Sequence, residues 1–143
     1  MRKLVGAAVA VAALIPALAV PALAGKLGDK LDQDSDTGPD AAVGVAADVS
    51  KANGTGKPGK FTIVVKSKPS GQDIRVGGGI GCTKGGSGPP GANFGTGESG
   101  NTPEKLVVKP NLKKAESCAI QANSDFENGD SGKLTATLFH KRR

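Results

Sequence analysis

The chain has 143 residues, of which 19 are Lys or Arg and 13 are Asp or Glu, for a net charge of +6 at pH 7. It contains four Phe and neither Trp nor Tyr. This length and composition favour one small domain with a modest core. The absence of Trp and Tyr argues against specific nucleic-acid recognition, whereas the basic balance is compatible with attraction to anionic surfaces or with solubility alone.

The first 24 residues have the pattern of a secretory signal peptide. Two cationic residues at positions 2 and 3 precede an uncharged apolar run over 4–20, and residues 22–24 form a small-x-small cleavage pattern. We expect cleavage after residue 24. The mature protein should then be secreted and extracellular, or loosely associated with the cell surface, without a membrane span.

Residues 25–40 are rich in Asp and turn-forming residues, and they predict a flexible acidic N-terminal extension. Alternate oxygen ligands along a loop are also what a hard cation such as Ca²⁺ requires. The ligands of such a calcium site would be Asp32, Asp34, Asp36 and Asp40. The pattern is half of a calcium loop, because Thr37 replaces the sharp-turn Gly and Val43 replaces the bidentate carboxylate.

Residues 41–143 show the two-residue periodicity of β-strands and form the predicted domain. Apolar residues alternate with small or polar ones over 43–49 and 61–65, and again from 74 to 82. Three consecutive glycines at 77–79 fall inside the last run. We expect a bulge or bend there.

The second half of the domain is more irregular. Residues 83–103 contain seven Gly and three Pro, which predicts a long exposed loop or an excursion at a sheet edge. Alternating runs follow at 106–108, 118–122 and 134–140, and an Asn-Gly turn at 128–129 predicts that the last two form a hairpin. Together the runs predict six or seven strands in one antiparallel β-sandwich.

The two cysteines, Cys82 and Cys118, are expected to form a disulfide in an oxidising compartment. Both share the parity of the apolar residues around them, so their sulfurs should face the core, where a bridge could join two sheets. Closing this loop would stabilise the fold by roughly 3.5–4 kcal/mol through chain entropy. A zinc or redox site fits less well, because there is no Cys-x-x-Cys and the one His is distant.

Two long stretches carry a resemblance to a known class of module. They are DAAVGVAADVSKANGTGKPGKFTIVVKS, from residue 40, and ESCAIQANSDFENGDSGKLTATLFH, from residue 116. Over residues 40–140 this order resembles the immunoglobulin-like or fibronectin-like modules of bacterial extracellular proteins. The resemblance implies an immunoglobulin-like β-sandwich with a binding or scaffolding role, and it carries over no site residue.

The sequence offers no supported catalytic set. Residues 95–100 match Gly-x-Gly-x-x-Gly, but a Gly/Pro-rich segment precedes them and Pro103 follows where a nucleotide-binding helix should begin. His140 is the one imidazole, and there is no Gly-x-Ser-x-Gly nucleophile elbow. We therefore expect a protein that is not an enzyme and has no cofactor, the calcium alternative aside.

These observations predict a small secreted, non-enzymatic interaction or structural module. Residues 83–103 are its candidate contact surface, because loops on a rigid sandwich commonly carry recognition. One alternative is a binder of anionic cell-surface polymers, and another is calcium binding by the Asp-rich segment. The candidate polymer contacts are Lys113, Lys114, Lys141, Arg142 and Arg143. The expected partner is an extracellular protein or an anionic cell-wall or surface polymer.

Overall fold

The computed structural model describes residues 26–52, 57–85, 91–96 and 100–142. This part of the chain contains nine strands. They are β1 (Asp29–Gly38), β2 (Ala42–Ser50), β3 (Lys60–Lys68), β4 (Asp73–Thr83), β5 (Ala92–Gly95), β6 (Gly100–Asn101), β7 (Glu104–Val108), β8 (Ser117–Phe126) and β9 (Gly132–Lys141). The described segments include no helix that is long and apolar enough to span a membrane.

The strands form two antiparallel sheets. The first sheet has the order β1-β9-β3-β7, and the second has the order β2-β8-β4-β5 with the short β6 beside β4. Most connections cross from one sheet to the other. The prediction of an all-β, sandwich-like fold is confirmed, with β1, β5 and β6 as strands beyond those that the sequence patterns indicate.

The alternating pattern places the core between the sheets. The first sheet contributes Phe61, Ile63, Val65, Leu134, Ala136 and Leu138. The second sheet contributes Val43, Val45, Val49, Ile74, Val76, Ile80, Ile120 and Ala122. Burial of each large aliphatic side chain stabilises the fold by about 1.5–3 kcal/mol, so these inner faces hold the two sheets together.

Residues 29–38 form β1, and the prediction of a flexible extension over 25–40 is wrong for this stretch. β1 is antiparallel to β9 over its length, at the edge of the first sheet. Asp is a poor strand former, which is why the sequence predicts no strand here. The sandwich therefore begins before residue 41. The predicted cleavage site after residue 24 lies outside the described residues.

Cys82 and Cys118 form the predicted disulfide. They lie directly opposite each other on β4 and β8, with 4.1 Å between their Cα atoms, and both are buried. The expectation that the bridge joins the two sheets is wrong, because β4 and β8 are neighbours in the second sheet. Inward-facing sulfurs are equally compatible with a pair across adjacent strands, and the bridge locks β4 to β8 near one end of the sandwich.

β4 runs without interruption through the glycines at 77–79. Its register with β8 is continuous from residue 74 to residue 83, so β4 has no bulge at the glycines. Gly78 lies opposite Phe94 of β5, and a Cβ atom on Gly78 would stand 2.8 Å from Cζ of that ring. The same Cβ atom would stand even closer to the backbone carbonyl oxygen of Gln121 on β8, so the glycine is required by the close approach of the neighbouring strand as well as by the aromatic side chain.

The last two strands do not form the predicted hairpin. β8 pairs with β2 and β4, whereas β9 pairs with β1 and β3 in the other sheet. The turn contains Asn128 and Gly129, both with positive φ, and it carries the chain from one sheet to the other. An Asn-Gly turn specifies a reversal of direction, but the partners of each strand depend on the remaining strands.

Candidate functional site

The carboxylates of Asp32, Asp34 and Asp36 connect the edges of the two sheets. In each residue Oδ1 accepts a hydrogen bond from the next backbone N–H at 2.8 Å. Each Oδ2 accepts one from a backbone N–H of β2 in the other sheet. The donors are, in the same order, Ala46 at 2.9 Å, Gly44 at 2.9 Å and Ala42 at 3.2 Å. We call these three carboxylates the aspartate ladder.

The aspartate ladder explains the alternating Asp residues in structural terms. β2 lies at the edge of its sheet, and the N–H groups on the free side of an edge strand lack a strand partner. The side chains of Asp32, Asp34 and Asp36 reach these groups because their strand partners, Leu138, Ala136 and Leu134, point into the sandwich. Because side chains two residues apart lie on the same face of a strand, all three carboxylates lie on the inner side of β1.

The predicted calcium site is not assembled in this structure. Within the part of the chain that the structure describes, no group of three or more His, Cys, Asp or Glu side chains is placed to hold a metal ion. Asp40 lies in the turn after β1, and the other three predicted ligands, Asp32, Asp34 and Asp36, bind backbone amides. The physical reason is that a strand spreads alternate carboxylates along its length, whereas a calcium loop folds them around one point.

The positive charge collects at one end of the sandwich, which we call the basic end. Antiparallel strands place alternate connections at the same end, so the connections after β2, β4 and β7 share an end with the start of β1 and the finish of β9. Its described cationic residues are Lys26, Lys30, Lys51, Lys57, Lys60, Lys84, Lys109, Lys113, Lys114, Lys141 and Arg142, and its acidic residues are Asp29, Asp48 and Glu116.

The other end, which we call the opposite end, has the reverse balance. Its described acidic residues are Asp36, Asp40, Asp73, Glu104, Asp125, Glu127 and Asp130, and its cationic residues are Lys66, Lys68, Arg75, Lys105 and Lys133. The described basic end thus carries eleven cations and three anions, a net charge of +8. The described opposite end carries five cations and seven anions, a net charge of −2. Such a separation produces a strong positive potential at one end of the molecule.

A cavity of 560 Å³ at the basic end is lined by five lysines, and we call it the lysine pocket. Lys51 and Lys57 come from the β2–β3 connection, Lys84 follows β4, and Lys113 and Lys114 lie in the β7–β8 connection. The other described lining residues are Pro58, Ala115 and Glu116. All five lysines are exposed, so a solute can reach their ammonium groups.

Hydrogen bonds and the disulfide hold the walls of the lysine pocket together. The backbone N–H of Lys51 donates to the carbonyl of Glu116 at 3.1 Å, and the N–H of Glu116 donates to the carbonyl of Thr83 at 2.8 Å. The N–H of Gly85 donates to the Glu116 carboxylate at 3.3 Å. The disulfide lies two residues before Lys84 on one strand and two residues after Glu116 on the other. The pocket is therefore anchored to the most tightly cross-linked part of the second sheet.

The five cations predicted to contact an anionic polymer divide into three groups. Lys113 and Lys114 line the lysine pocket. Lys141 and Arg142 follow at the finish of β9, at the same end but outside the described lining. Arg143 lies outside the described residues.

Sequence reasoning missed Lys51, Lys57 and Lys84. A signal for them does exist, because lysines in every second connection of an antiparallel sandwich must gather at one end. The signal requires the number and pairing of the strands, and the patterns along the chain leave β1, β5 and β6 unassigned.

His140 is buried beneath the basic end, with 2% of its surface exposed. Its ring lies 4.9 Å from that of Phe61, and its Nε2 accepts a hydrogen bond from the N–H of Gly59 at 3.2 Å. Burial lowers the pKa of His140, the charge of Arg142 lowers it further, and Asp29 opposes the shift. A neutral imidazole therefore joins the finish of β9 to the start of β3.

The predicted contact surface over 83–103 supplies edge strands in its described part. β5 and β6 both pair with β4, and residues 86–90 and 97–99 lie outside the described residues. A depression of 730 Å³ on the outer face of the second sheet includes part of β5. Its described lining is mostly Gly and Ala, with Asp48 as the one charged residue. It therefore offers far less charge to a ligand than the lysine pocket.

No protein-family model matches this chain, and a search of curated proteins found no match. The function must therefore be argued from the geometry and charge of the described residues. Among the features above, the lysine pocket and the basic end around it combine access, concavity and a strong excess of positive charge.

Proposed function

We propose that the protein is a small secreted, non-enzymatic binding module that attaches through its basic end to an anionic polymer of the cell surface or cell wall. The observation that carries this proposal is the gathering of eleven described cationic side chains at one end of the sandwich. A surface of this kind attracts polyanions and releases their counterions on binding.

Three further features support the proposal. The signal-peptide pattern of the first 24 residues indicates export, and a disulfide is compatible with an extracellular location. The resemblance to immunoglobulin-like modules implies a binding or scaffolding role, and loops on a rigid sandwich commonly carry recognition. The one imidazole of the chain, His140, is buried with its Nε2 engaged by Gly59, which favours a binding role over a catalytic one.

Binding of the disulfide-bonded protein to immobilised heparin, used as a generic polyanion, tests this proposal. The logarithm of the binding constant should fall linearly as the logarithm of the NaCl concentration rises. Reversal of two charges at the basic end, Lys113→Glu with Lys114→Glu, should weaken binding about tenfold or more, since each lysine near an anionic surface contributes about 1 kcal/mol.

The matched control is Lys68→Glu with Lys133→Glu, two lysines that face each other at the opposite end. This control has the same net charge as the basic-end variant, and its affinity should stay within about twofold of the unmodified protein. Equal losses in the two variants would show that net charge alone governs binding and would overturn the proposal. Binding that is insensitive to salt would overturn it as well.

A further inference from the structure

We propose that the lysine pocket is a binding site for a run of closely spaced phosphate groups. This inference rests on the proposed function, because it names the class of polymer that the basic end holds. Five ammonium groups from three separate connections line one cavity of 560 Å³. That volume lies within the range of about 300–1,000 Å³ that is usual for ligand sites.

Four of the five lysines of the pocket have no acidic partner among the described residues. No described carboxylate lies within ion-pair distance of Lys51, Lys57, Lys84 or Lys114. The one acidic side chain of the described lining, Glu116, accepts a hydrogen bond from the N–H of Gly85. Because concave walls concentrate the field of like charges, the pocket attracts a ligand with several negative charges.

The type of cation favours phosphate. All five charged donors are lysines, whose compact ammonium groups bind phosphate as point charges with three rotatable donors each. Arg instead holds single carboxylate or phosphate groups in a fixed bidentate geometry, and none is present in the described lining. A flexible set of point charges can follow successive phosphates along a polymer.

The apolar lining argues against a ligand that is recognised by its rings. The described lining includes Pro58 and Ala115 but no aromatic side chain, so bases or sugar rings would find no stacking platform. The ligand is therefore defined by its phosphates and not by what joins them. Inorganic polyphosphate and a phosphodiester polymer such as poly(glycerol phosphate) both present this chemistry.

Isothermal titration of the disulfide-bonded protein with polyphosphate and with poly(glycerol phosphate), at equal phosphate concentration, tests the inference. The pocket variant is Lys84→Gln with Lys114→Gln, and the control is Lys109→Gln with Lys141→Gln, two exposed lysines of the basic end outside the described lining. The pocket variant should bind phosphate polymer about tenfold more weakly. The slope of the logarithm of the binding constant against the logarithm of the salt concentration should become shallower by about 2, or about 1 for each lysine removed.

The control variant should lose clearly less affinity than the pocket variant, since its lysines add to the field of the basic end but do not line the pocket. The polymer that binds more tightly identifies the source of the phosphates. Heparin at equal charge concentration should bind more weakly than either phosphate polymer. Melting curves of both variants that match the unmodified protein establish that the effects are not due to unfolding.

Two results would overturn the inference while the proposed function stands. One is an equal loss in the pocket and control variants, which would assign binding to the whole basic end. The other is heparin affinity equal to that of the phosphate polymers, which would remove the preference for phosphate. If none of the three polymers binds, both the inference and the proposed function are wrong.

Discussion

The two ends of the sandwich use their charged residues differently. At the opposite end Arg75 lies 2.9 Å from the carboxylate of Asp125 and 3.5 Å from that of Glu127. At the basic end Arg142 lies 3.9 Å from the carboxylate of Asp29. Each end thus pairs an arginine with a carboxylate, but acidic residues outnumber cations at the described opposite end, whereas cations greatly outnumber acidic residues at the described basic end.

This difference separates charges that serve the fold from charges that serve a partner. Paired surface charges contribute about 0–1 kcal/mol to stability and leave a weak external field. Like charges gathered without partners repel one another and lower the stability of the compact state. A polyanion at the basic end would relieve that repulsion, so its binding should raise the melting temperature.

Removal of the disulfide should have the largest effect and should act mainly at the basic end. We expect Cys82→Ala with Cys118→Ala to lower the free energy of unfolding by about 2–5 kcal/mol in urea denaturation. Hydrogen exchange should accelerate more at the amides of Gly85 and Glu116, beside the lysine pocket, than at Glu127 at the opposite end. Equal acceleration at all three amides would show that the bridge does not hold the pocket.

The aspartate ladder provides the second test. Its aspartates should contribute to the free energy of unfolding, whereas the lysines of the basic end should not. Asp34→Ala removes acceptors for the N–H groups of Ser35 and Gly44 and should lower the free energy of unfolding by about 1–2 kcal/mol. Ser35→Ala on the same strand is the control and should change it by less than about 0.5 kcal/mol. An unchanged free energy of unfolding in Asp34→Ala would mean that water satisfies the N–H groups of Ser35 and Gly44 equally well.

The strands that bury one face are predictable from the sequence. Residues 43–49, 61–65 and 74–82 alternate because every second side chain lies in the core, and the structure has strands there. The disulfide is predictable because two cysteines share the parity of core residues in a chain with an export pattern. These features follow from local periodicity, which is visible along the chain.

The features that depend on distant partners are not predictable in this way. β1 pairs with residues about a hundred positions away, and its Asp residues disfavour a strand until the amides of β2 are in place. The hairpin prediction for β8 and β9 fails for the same reason. The lysine pocket also depends on topology, because Lys51, Lys84 and Lys114 meet when their connections lie at one end.

Acidification should loosen the basic end before the opposite end, through His140. Burial and the charge of Arg142 lower its pKa in the folded state, so folding favours the neutral imidazole. The resulting stability is complete above the pKa of an unfolded imidazole, about 6.5. It is lost as the pH falls from there through the lowered folded pKa.

Urea denaturation across this pH range measures the effect of His140. His140→Gln keeps an acceptor for the N–H of Gly59 without a titrating group, so its stability curve should be flatter below pH of about 6.5. Exchange of the Gly59 amide in the unmodified protein should rise over the same interval. If the free energy of unfolding of His140→Gln falls with pH as steeply as that of the unmodified protein, other groups cause the acid sensitivity.

Neutralisation of one charge at each end should have the smallest effect and is the most direct comparison. Arg75→Gln breaks both ion pairs of a side chain that is 55% exposed, so it should lower the free energy of unfolding by no more than about 1 kcal/mol. Lys114→Gln relieves repulsion and should leave stability unchanged or slightly raised. High salt should shrink both effects, because it screens exposed charges. A contradicting result would be an unchanged free energy of unfolding in Arg75→Gln and a lowered one in Lys114→Gln. The lysines of the basic end would then stabilise the fold and would not be reserved for an anionic partner.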